Sequence, residues 1–176
     1  MLIVIGPSAS GKTQIVNELI ANYNLNKMVT YTTRPMRVNE IDGKDYHFIS
    51  KSEFEEKIKN DFFLEYVEYN QNYYGTAKND ITSDKVVILE KEGLKAYIKN
   101  ARDKIKIVYV RCSKPIRRIR MKLRQDLEEN INKRLISDDL VFGEDVEALA
   151  DYVLDNSNTN VYDGALAVYK FYKPYL

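Results

Sequence analysis

The sequence predicts an α/β fold in which a central parallel sheet lies between layers of helices. Along the 176 residues, short β-branched runs alternate with longer segments that carry apolar residues at helical spacing. This alternation is typical of parallel strands joined by right-handed helical crossovers. A second observation favours the same fold: the first apolar run, residues 2–5, leads directly into the glycine-rich segment GPSASGKT, a pattern that connects a strand to a helix.

The glycine-rich segment predicts a loop that binds the phosphates of a nucleoside triphosphate, followed by a helix over 12–21. Gly6 and Gly11 allow backbone conformations and close approaches that a side chain would resist. Successive N–H groups then form an anion nest at the start of the helix. Lys12 supplies a cation for the β/γ-phosphates, and Thr13 supplies a hydroxyl for Mg²⁺. The predicted ATP-binding residues are Gly6, Pro7, Ser8, Ala9, Ser10, Gly11, Lys12 and Thr13.

The next segment, TTRPMRVNEIDGKDYHFIS at residues 32–50, is dense in polar side chains. Arg34 and Arg37 lie on either side of Pro35, which holds its own φ and biases Arg34 toward an extended conformation. Two arginines on such a stretch can converge on one anion. A capping-box pattern at 50–53 marks the start of a helix. The elements predicted for this part are strands over 28–32 and 46–49, a turn at 42–43 and a helix over 51–59.

The rest of the chain continues the alternation of strands and helices. We predict strands over 62–69, 85–89, 105–110 and 151–154, a turn at 70–72, helices over 92–99 and 159–172, and a long helical region over 114–140. In a parallel sheet, ligands bind at the carboxyl ends of the strands. The residues expected at those ends are Gly6, Glu90, Arg111 and Asp155.

Composition narrows the range of partners and compartments. With 27 basic and 26 acidic residues the net charge is +1, so no large basic field predicts a nucleic-acid partner. The single cysteine, Cys112, excludes an intrachain disulfide and a CxxC metal site, and it favours a reducing compartment. Neither a signal peptide nor an apolar run of membrane length is recognisable. We therefore expect a cytoplasmic protein with no membrane partner.

Taken in order, these motifs resemble those of guanylate kinases, which phosphorylate GMP with ATP. The phosphate loop is similar to the family's GPSGSGKS/T, and the arginine-containing segment resembles TTRxPRxGExxGxDYxFVS. The stretches FLEYVEYNQNYYGT, ILEKEG and NINKRL look like the family's FIEWAxxxGNxYGT, ILDxDxQG and EIxKRL. The resemblance implies one domain over 1–176, of the three-layer P-loop NTPase type. Its implied parts are a core over about 1–30, 84–116 and 136–176, an inserted NMP-binding subdomain over about 31–83, and a helical lid over about 117–135.

The resemblance also implies a role for each residue that matches a family motif. The residues that correspond to holders of the GMP phosphate are Arg34, Arg37, Tyr46 and Tyr74. The other GMP-side residues are the base-reading carboxylate Glu65, the hydroxyls of Thr30 and Thr76, and the acidic pair Glu90 and Glu92. The implied catalytic cations are Lys12, Arg34, Arg124 and Arg134, with Arg120 left as an alternative to Arg124.

The chemistry of guanine agrees with a carboxylate at position 65. Its N1–H and N2–H₂ are adjacent donors that one carboxylate accepts together, and adenine has no such pair on that edge. The implied reaction is in-line transfer of the ATP γ-phosphoryl group to GMP or dGMP, with Mg²⁺ accompanying ATP.

Two alternatives to this reaction stay open. One is a kinase for another (deoxy)nucleoside monophosphate, because Tyr31 and Glu90 depart from the family pattern. The other is a non-catalytic binding module of the same fold. Whether the chain is a monomer or a dimer also stays open.

Overall fold

The computed structural model describes residues 1–69 and 71–176. In chain order the strands are β1 (Leu2–Ile5), β2 (Asn26–Lys27), β3 (Tyr31–Thr32), β4 (His47–Phe48), β5 (Phe63–Tyr69), β6 (Asn72–Ala77), β7 (Lys85–Ile88), β8 (Lys106–Arg111) and β9 (Tyr152–Asp155). The α-helices are α1 (Lys12–Asn22), α2 (Lys51–Lys59), α3 (Lys91–Ala101), α4 (Lys114–Leu123), α5 (Glu128–Val141), α6 (Glu144–Glu147) and α7 (Val161–Tyr172). Short 3₁₀ turns lie at Lys78–Asp80, Arg102–Lys104 and Lys173–Tyr175. Among the described residues, no helix combines the length and the apolar character needed to cross a membrane.

Five of the strands form a parallel sheet in the order β2-β7-β1-β8-β9. Strand β1 lies in the middle of this sheet, and its alternate side chains enter different layers. Leu2 and Val4 pack with residues of α1 and α7, whereas Ile3 and Ile5 pack with residues of α3. Helices therefore cover both faces of the sheet, and the predicted α/β fold with a central parallel sheet is confirmed.

A second sheet, with the strand order β4-β3-β6-β5, is formed within residues 31–77. Strand β6 runs antiparallel to both of its neighbours. Helix α2 packs on this sheet through Phe54, whose ring stacks on those of Phe63 and Tyr73 at centroid distances of 4.3 and 5.2 Å. The predicted capping box at the start of α2 is confirmed. The division of the chain into core, NMP-binding part and lid stays a prediction.

Two elements that were predicted as continuous are interrupted in the structure. The strand predicted over 28–32 is replaced by β2 and β3, which belong to different sheets, because the chain passes from one sheet to the other between them. The helical region predicted over 114–140 is divided into α4 and α5. Between these helices Gln125 has a φ of 62°, a left-handed conformation in which a right-handed helix cannot continue. The turn predicted at 70–72 includes Asn70, which lies outside the described residues.

Candidate active site

The predicted phosphate loop connects β1 to α1 and depends on two glycines. Gly6 has a φ of +145° and Gly11 a φ of +104°, which side chains resist. A Cβ at Gly6 would lie 2.5 Å from the Val110 carbonyl oxygen, and one at Gly11 would lie 2.4 Å from the Asn156 amide nitrogen. The loop therefore has no room for a side chain at either position. Ala9 adopts a φ of 59°, so the loop holds one non-glycine residue in the left-handed region.

The Ala9 and Ser10 carbonyl groups of the loop are bound by side chains from α4 and from the segment after β9. Arg120 donates from Nη1 to the Ser10 and Ala9 carbonyl oxygens at 3.0 and 3.3 Å, and from Nη2 to the Asn156 carbonyl oxygen at 2.8 Å. The Asn156 amide donates to the same Ser10 oxygen at 2.7 Å. Arg120, one of the two arginines that the sequence left open for the phosphates, is thus engaged with the backbone of the loop.

Lys12, the predicted phosphate-binding cation, extends across the loop and contacts its backbone. Its ammonium nitrogen donates to the carbonyl oxygens of Gly6 and Pro7 at 2.6 and 2.9 Å. Burial lowers the pKa of Lys12, and the nearby charge of Arg124 contributes to the lowering while neighbouring carboxylates oppose it. Arg124, exposed at the end of α4, is therefore close enough to influence Lys12 electrostatically.

A buried ion pair joins the loop to α4 and α5, and the sequence did not predict it. The Asp138 carboxylate of α5 accepts from the Ser8 backbone N–H at 3.0 Å and from the Ser8 hydroxyl at 3.1 Å. It also accepts from Arg117 Nη1 of α4 at 2.9 Å. Arg117 and Asp138 are only 4% and 7% exposed. One signal was available: Asp138 follows the buried Ile131 and Leu135 at helical spacing.

The two arginines of the polar segment meet a carboxylate that sequence reasoning did not single out. Arg34 Nη2 lies 2.7 Å from one oxygen of Glu40, and the backbone N–H of Arg37 donates to the other oxygen at 2.7 Å. The bond from Arg34 lowers the pKa of Glu40. The Arg34 guanidinium also lies 5.5 Å from the centroid of the Tyr46 ring, which is 6.1 Å from that of Tyr74. These contacts bring together Arg34, Tyr46 and Tyr74, and the Glu40 carboxylate is bound to Arg34.

The predicted base-reading carboxylate lies on the second sheet beside a predicted hydroxyl. Glu65 and Thr76 are paired across β5 and β6, and the Thr76 hydroxyl donates to Glu65 Oε1 at 2.8 Å. Burial raises the pKa of Glu65, and the bond from Thr76 opposes this rise. Glu65 is therefore a half-buried acceptor with one oxygen already engaged.

A cleft of about 480 Å³ is lined by α1, β7, the segment between β2 and β3, and the polar segment. Thr13, at the start of α1, contributes to its wall together with Thr30, Glu40 and Tyr46. Thr13, at the end of the phosphate loop, and Glu40 and Tyr46 of the polar segment thus line the same cleft.

Three predicted residues do not line this cleft, although the charge of Glu90 acts on Lys12 and opposes the lowering of its pKa. Glu90 is exposed at the N-cap of α3. The carboxylate of Glu92 accepts from the Lys95 ammonium at 2.8 and 3.0 Å. Arg134 pairs with Asp126 at 3.2 Å and its side chain is 56% exposed. The nucleotide roles of Glu90, Glu92 and Arg134 stay predictions.

Comparison with known proteins gives a consistent result. The family model described as guanylate kinase matches residues 1–166. A guanylate kinase of Clostridium tetani is 46% identical over 94 residues, which cover 51% of this chain and 45% of that protein. A guanylate kinase of Lactiplantibacillus plantarum is 46% identical over 99 residues, covering 52% and 48%. The matched stretches thus span about half the length of these curated relatives.

A solved structure provides a comparison at the level of the fold. The crystal structure of guanylate kinase from Anaplasma phagocytophilum covers 99% of this chain, which in turn covers 84% of that protein. The TM-score is 0.64 and the sequence identity is 22%. At this identity the likeness supports the fold.

Proposed function

The chain belongs to the guanylate kinase family, and from this premise we propose that it transfers the γ-phosphoryl group of ATP to GMP or dGMP. The products are ADP and the corresponding guanosine diphosphate. One observation carries the proposal: Thr13 of the phosphate loop lines the same cleft as Thr30, Glu40 and Tyr46. A donor and an acceptor nucleotide can therefore share one space, as in-line transfer requires.

The donor half is the loop from Gly6 to Thr13. Its N–H groups and the start of α1 bind the ATP phosphates, and the Lys12 ammonium moves from the Gly6 and Pro7 carbonyls to the β/γ-phosphates. Mg²⁺ fits this half, because it usually takes only one or two protein ligands beside phosphate and water. The proposed protein ligand is the hydroxyl of Thr13, which the loop motif places at the Mg²⁺ position. When bound, Mg²⁺ neutralises charge on the transferring phosphates.

The acceptor half combines an anion site with a base site. Arg34, Arg37, Tyr46 and Tyr74 bind the GMP phosphate, because planar guanidinium groups bond phosphate bidentately. Glu40 already engages Arg34 and the Arg37 backbone, so it holds this segment in shape. On the base, Glu65 accepts N1–H and N2–H₂, with the hydroxyls of Thr30 and Thr76 nearby.

Catalysis in this proposal consists of positioning and charge stabilisation. The acceptor phosphate is already ionised, so the protein needs no general base. Lys12 and Arg34 neutralise charge as the γ-phosphoryl group moves between the two nucleotides. Arg124 and Arg134 of the lid add to this charge when the lid closes and excludes water.

A panel of nucleoside monophosphates tests the proposal. Purified protein is incubated with ATP, Mg²⁺ and GMP, dGMP, IMP, AMP, CMP or UMP in turn, and ADP formation is measured. GMP or dGMP should give the highest kcat/KM. Faster turnover of any other base would favour the alternative kinase, and no turnover of any monophosphate would favour a non-catalytic binding module.

The loop lysine provides the matched control for this assay. Lys12→Ala should reduce turnover by roughly 10³ or more, because a cation on the transferring phosphate is lost. GMP binding, measured by calorimetry, should stay within about twofold of the wild type, because Lys12 belongs to the donor half. A variant that keeps its turnover would contradict the assignment of Lys12.

A further inference from the structure

A buried tyrosine lies behind the candidate base site. Tyr97 of α3 is 1% exposed, and its ring packs in the core between α3 and the parallel sheet with Leu94 and Ile107. Its hydroxyl donates to the Thr76 hydroxyl oxygen at 2.9 Å. Thr76 is itself 1% exposed and donates to Glu65 Oε1 at 2.8 Å. A continuous chain of hydrogen bonds thus runs from the core to the carboxylate that faces the base.

The direction of this chain follows from counting hydrogens. A hydroxyl carries one hydrogen, and an ionised carboxylate carries none. If Thr76 donated to Tyr97, the bond from Thr76 to Glu65 would be lost. The arrangement that satisfies all three groups is therefore Tyr97 O–H to Thr76 O–H to the Glu65 carboxylate. Burial raises the pKa of Tyr97 to about 12, so the phenol keeps its proton at neutral pH.

We propose that Tyr97 is a positioning residue for base recognition, acting through Thr76 to hold Glu65 as an oriented acceptor. The inference rests on the proposed function and deepens it. With its oxygen occupied by the Tyr97 proton, the Thr76 hydroxyl is committed to donate to Oε1. Each carboxylate oxygen has two lone pairs, so Oε1 accepts one guanine donor beside the Thr76 hydroxyl and Oε2 accepts the other, in one fixed orientation. Without the Tyr97 hydroxyl, Thr76 is free to rotate and the orientation of Glu65 is no longer fixed.

Tyr97→Phe tests this role because it removes the hydroxyl and retains the ring. The loss of one hydrogen bond that orients the acceptor should raise KM for GMP roughly 3- to 10-fold. kcat and KM for ATP should stay within about twofold, because neither the loop nor the phosphates are touched. The preference for GMP over AMP should fall by a similar factor. An unchanged KM for GMP, or equal losses for both nucleotides, would overturn the inference.

Tyr172→Phe is the matched control. Tyr172 is also fully buried, and its hydroxyl donates to the Ser83 carbonyl oxygen at 2.7 Å. It lies in the core layer of α1 and α7, on the other face of the sheet from Tyr97. Its loss should leave KM for GMP and the preference for GMP unchanged. A rise like that of Tyr97→Phe would mean that any buried hydroxyl has this effect, and the proposal would fail.

A double-mutant cycle asks whether Tyr97 acts through Thr76. Thr76→Val should raise KM for GMP on its own, and adding Tyr97→Phe should produce no further rise, because the connection is already broken. Thr76→Val also leaves the Tyr97 hydroxyl buried without an acceptor, so the double variant should melt at a higher temperature than Thr76→Val alone. Additive increases in KM would refute action through Thr76.

Calorimetric binding of GMP separates the two proposals. If the wild type binds GMP without turning it over, the proposed function fails and the ratio of Kd between Tyr97→Phe and wild type still tests Tyr97. If the wild type turns GMP over and this ratio is one, only the inference on Tyr97 fails. If the wild type neither binds nor turns over GMP, both fail.

Discussion

At the scale of single residues, the proposed base selectivity rests on the Glu65 carboxylate. Glu65→Gln keeps the shape of the side chain but places an amide donor against the two guanine donors. Leaving those groups unpaired costs about 1–3 kcal/mol, so KM for GMP should rise by roughly 5- to 160-fold. KM for ATP should stay unchanged, because Glu65 lies on the second sheet and Lys12 on the loop. Equal increases for both substrates, measured by steady-state kinetics, would refute the assignment.

Glu65→Gln should weaken GMP binding but should not lower the stability of the folded chain. Burial raises the pKa of Glu65 in the folded chain, so ionisation at neutral pH works against folding. This cost is present above the folded pKa and is relieved as the pH falls through it. Glu65→Gln removes the cost, and its urea midpoint at pH 7 should equal or exceed that of the wild type. The advantage should shrink when the measurement is repeated at pH 4.

Single residues also show which parts of the candidate site the sequence could predict. Lys12 and Thr13 could be assigned because a phosphate loop is a local pattern in which neighbours in sequence are neighbours in space. Tyr97 could be predicted only as a core residue of its helix, since its hydroxyl contacts Thr76, 21 positions away. Asp138 contacts Ser8 across 130 positions, and its spacing in the helix could indicate burial but not this partner.

At the scale of elements, the Arg117–Asp138 pair ties α4 and α5 to the phosphate loop. Asp138→Ala leaves the Arg117 guanidinium buried without its main partner, and such a loss costs about 3–5 kcal/mol. We expect urea denaturation to show a loss of this size. Because Ser8 also loses its acceptor, KM for ATP should rise more than KM for GMP.

Asp139 supplies the control for this pair. It also contacts Arg117, at 3.3 Å, but its side chain is 48% exposed and it pairs with the exposed Lys114. Exposed pairs contribute about 1 kcal/mol or less, so Asp139→Ala should lower the unfolding free energy by no more than that. Similar losses for Asp138→Ala and Asp139→Ala would show that burial does not strengthen the first pair.

Elements with a regular apolar pattern were predictable, and interruptions without glycine or proline were not. The helix over 51–59 was predicted with the bounds it has, because a capping box and an apolar face agree there. The break between α4 and α5 falls at Gln125, a residue that gives no turn signal. The passage from β2 to β3 was hidden for a related reason: the run 28–32 begins where β2 ends and includes β3, and it contains no glycine or proline.

At the scale of the whole molecule, the two half-sites should bind their nucleotides separately but in one cleft. A ligand that binds only the folded state stabilises it by about 2.7 kcal/mol at 100 times its Kd. For a chain of 176 residues, 1 kcal/mol corresponds to roughly 2–4 °C in Tm. GMP alone and a non-hydrolysable ATP analogue with Mg²⁺ alone should therefore each raise Tm by about 5–10 °C.

Crossed variants show whether these two shifts belong to different halves of the molecule. Arg34→Ala removes a guanidinium from the acceptor half and should abolish most of the shift with GMP while leaving the shift with the ATP analogue. Lys12→Ala should abolish most of the Tm shift with the ATP analogue and leave the shift with GMP, because the ammonium that it removes lies on the donor loop. The unliganded Tm of each variant gives the baseline from which its own shift is counted. If each variant lost both shifts equally, the cleft would hold a single nucleotide site, and transfer between two nucleotides within it would be ruled out.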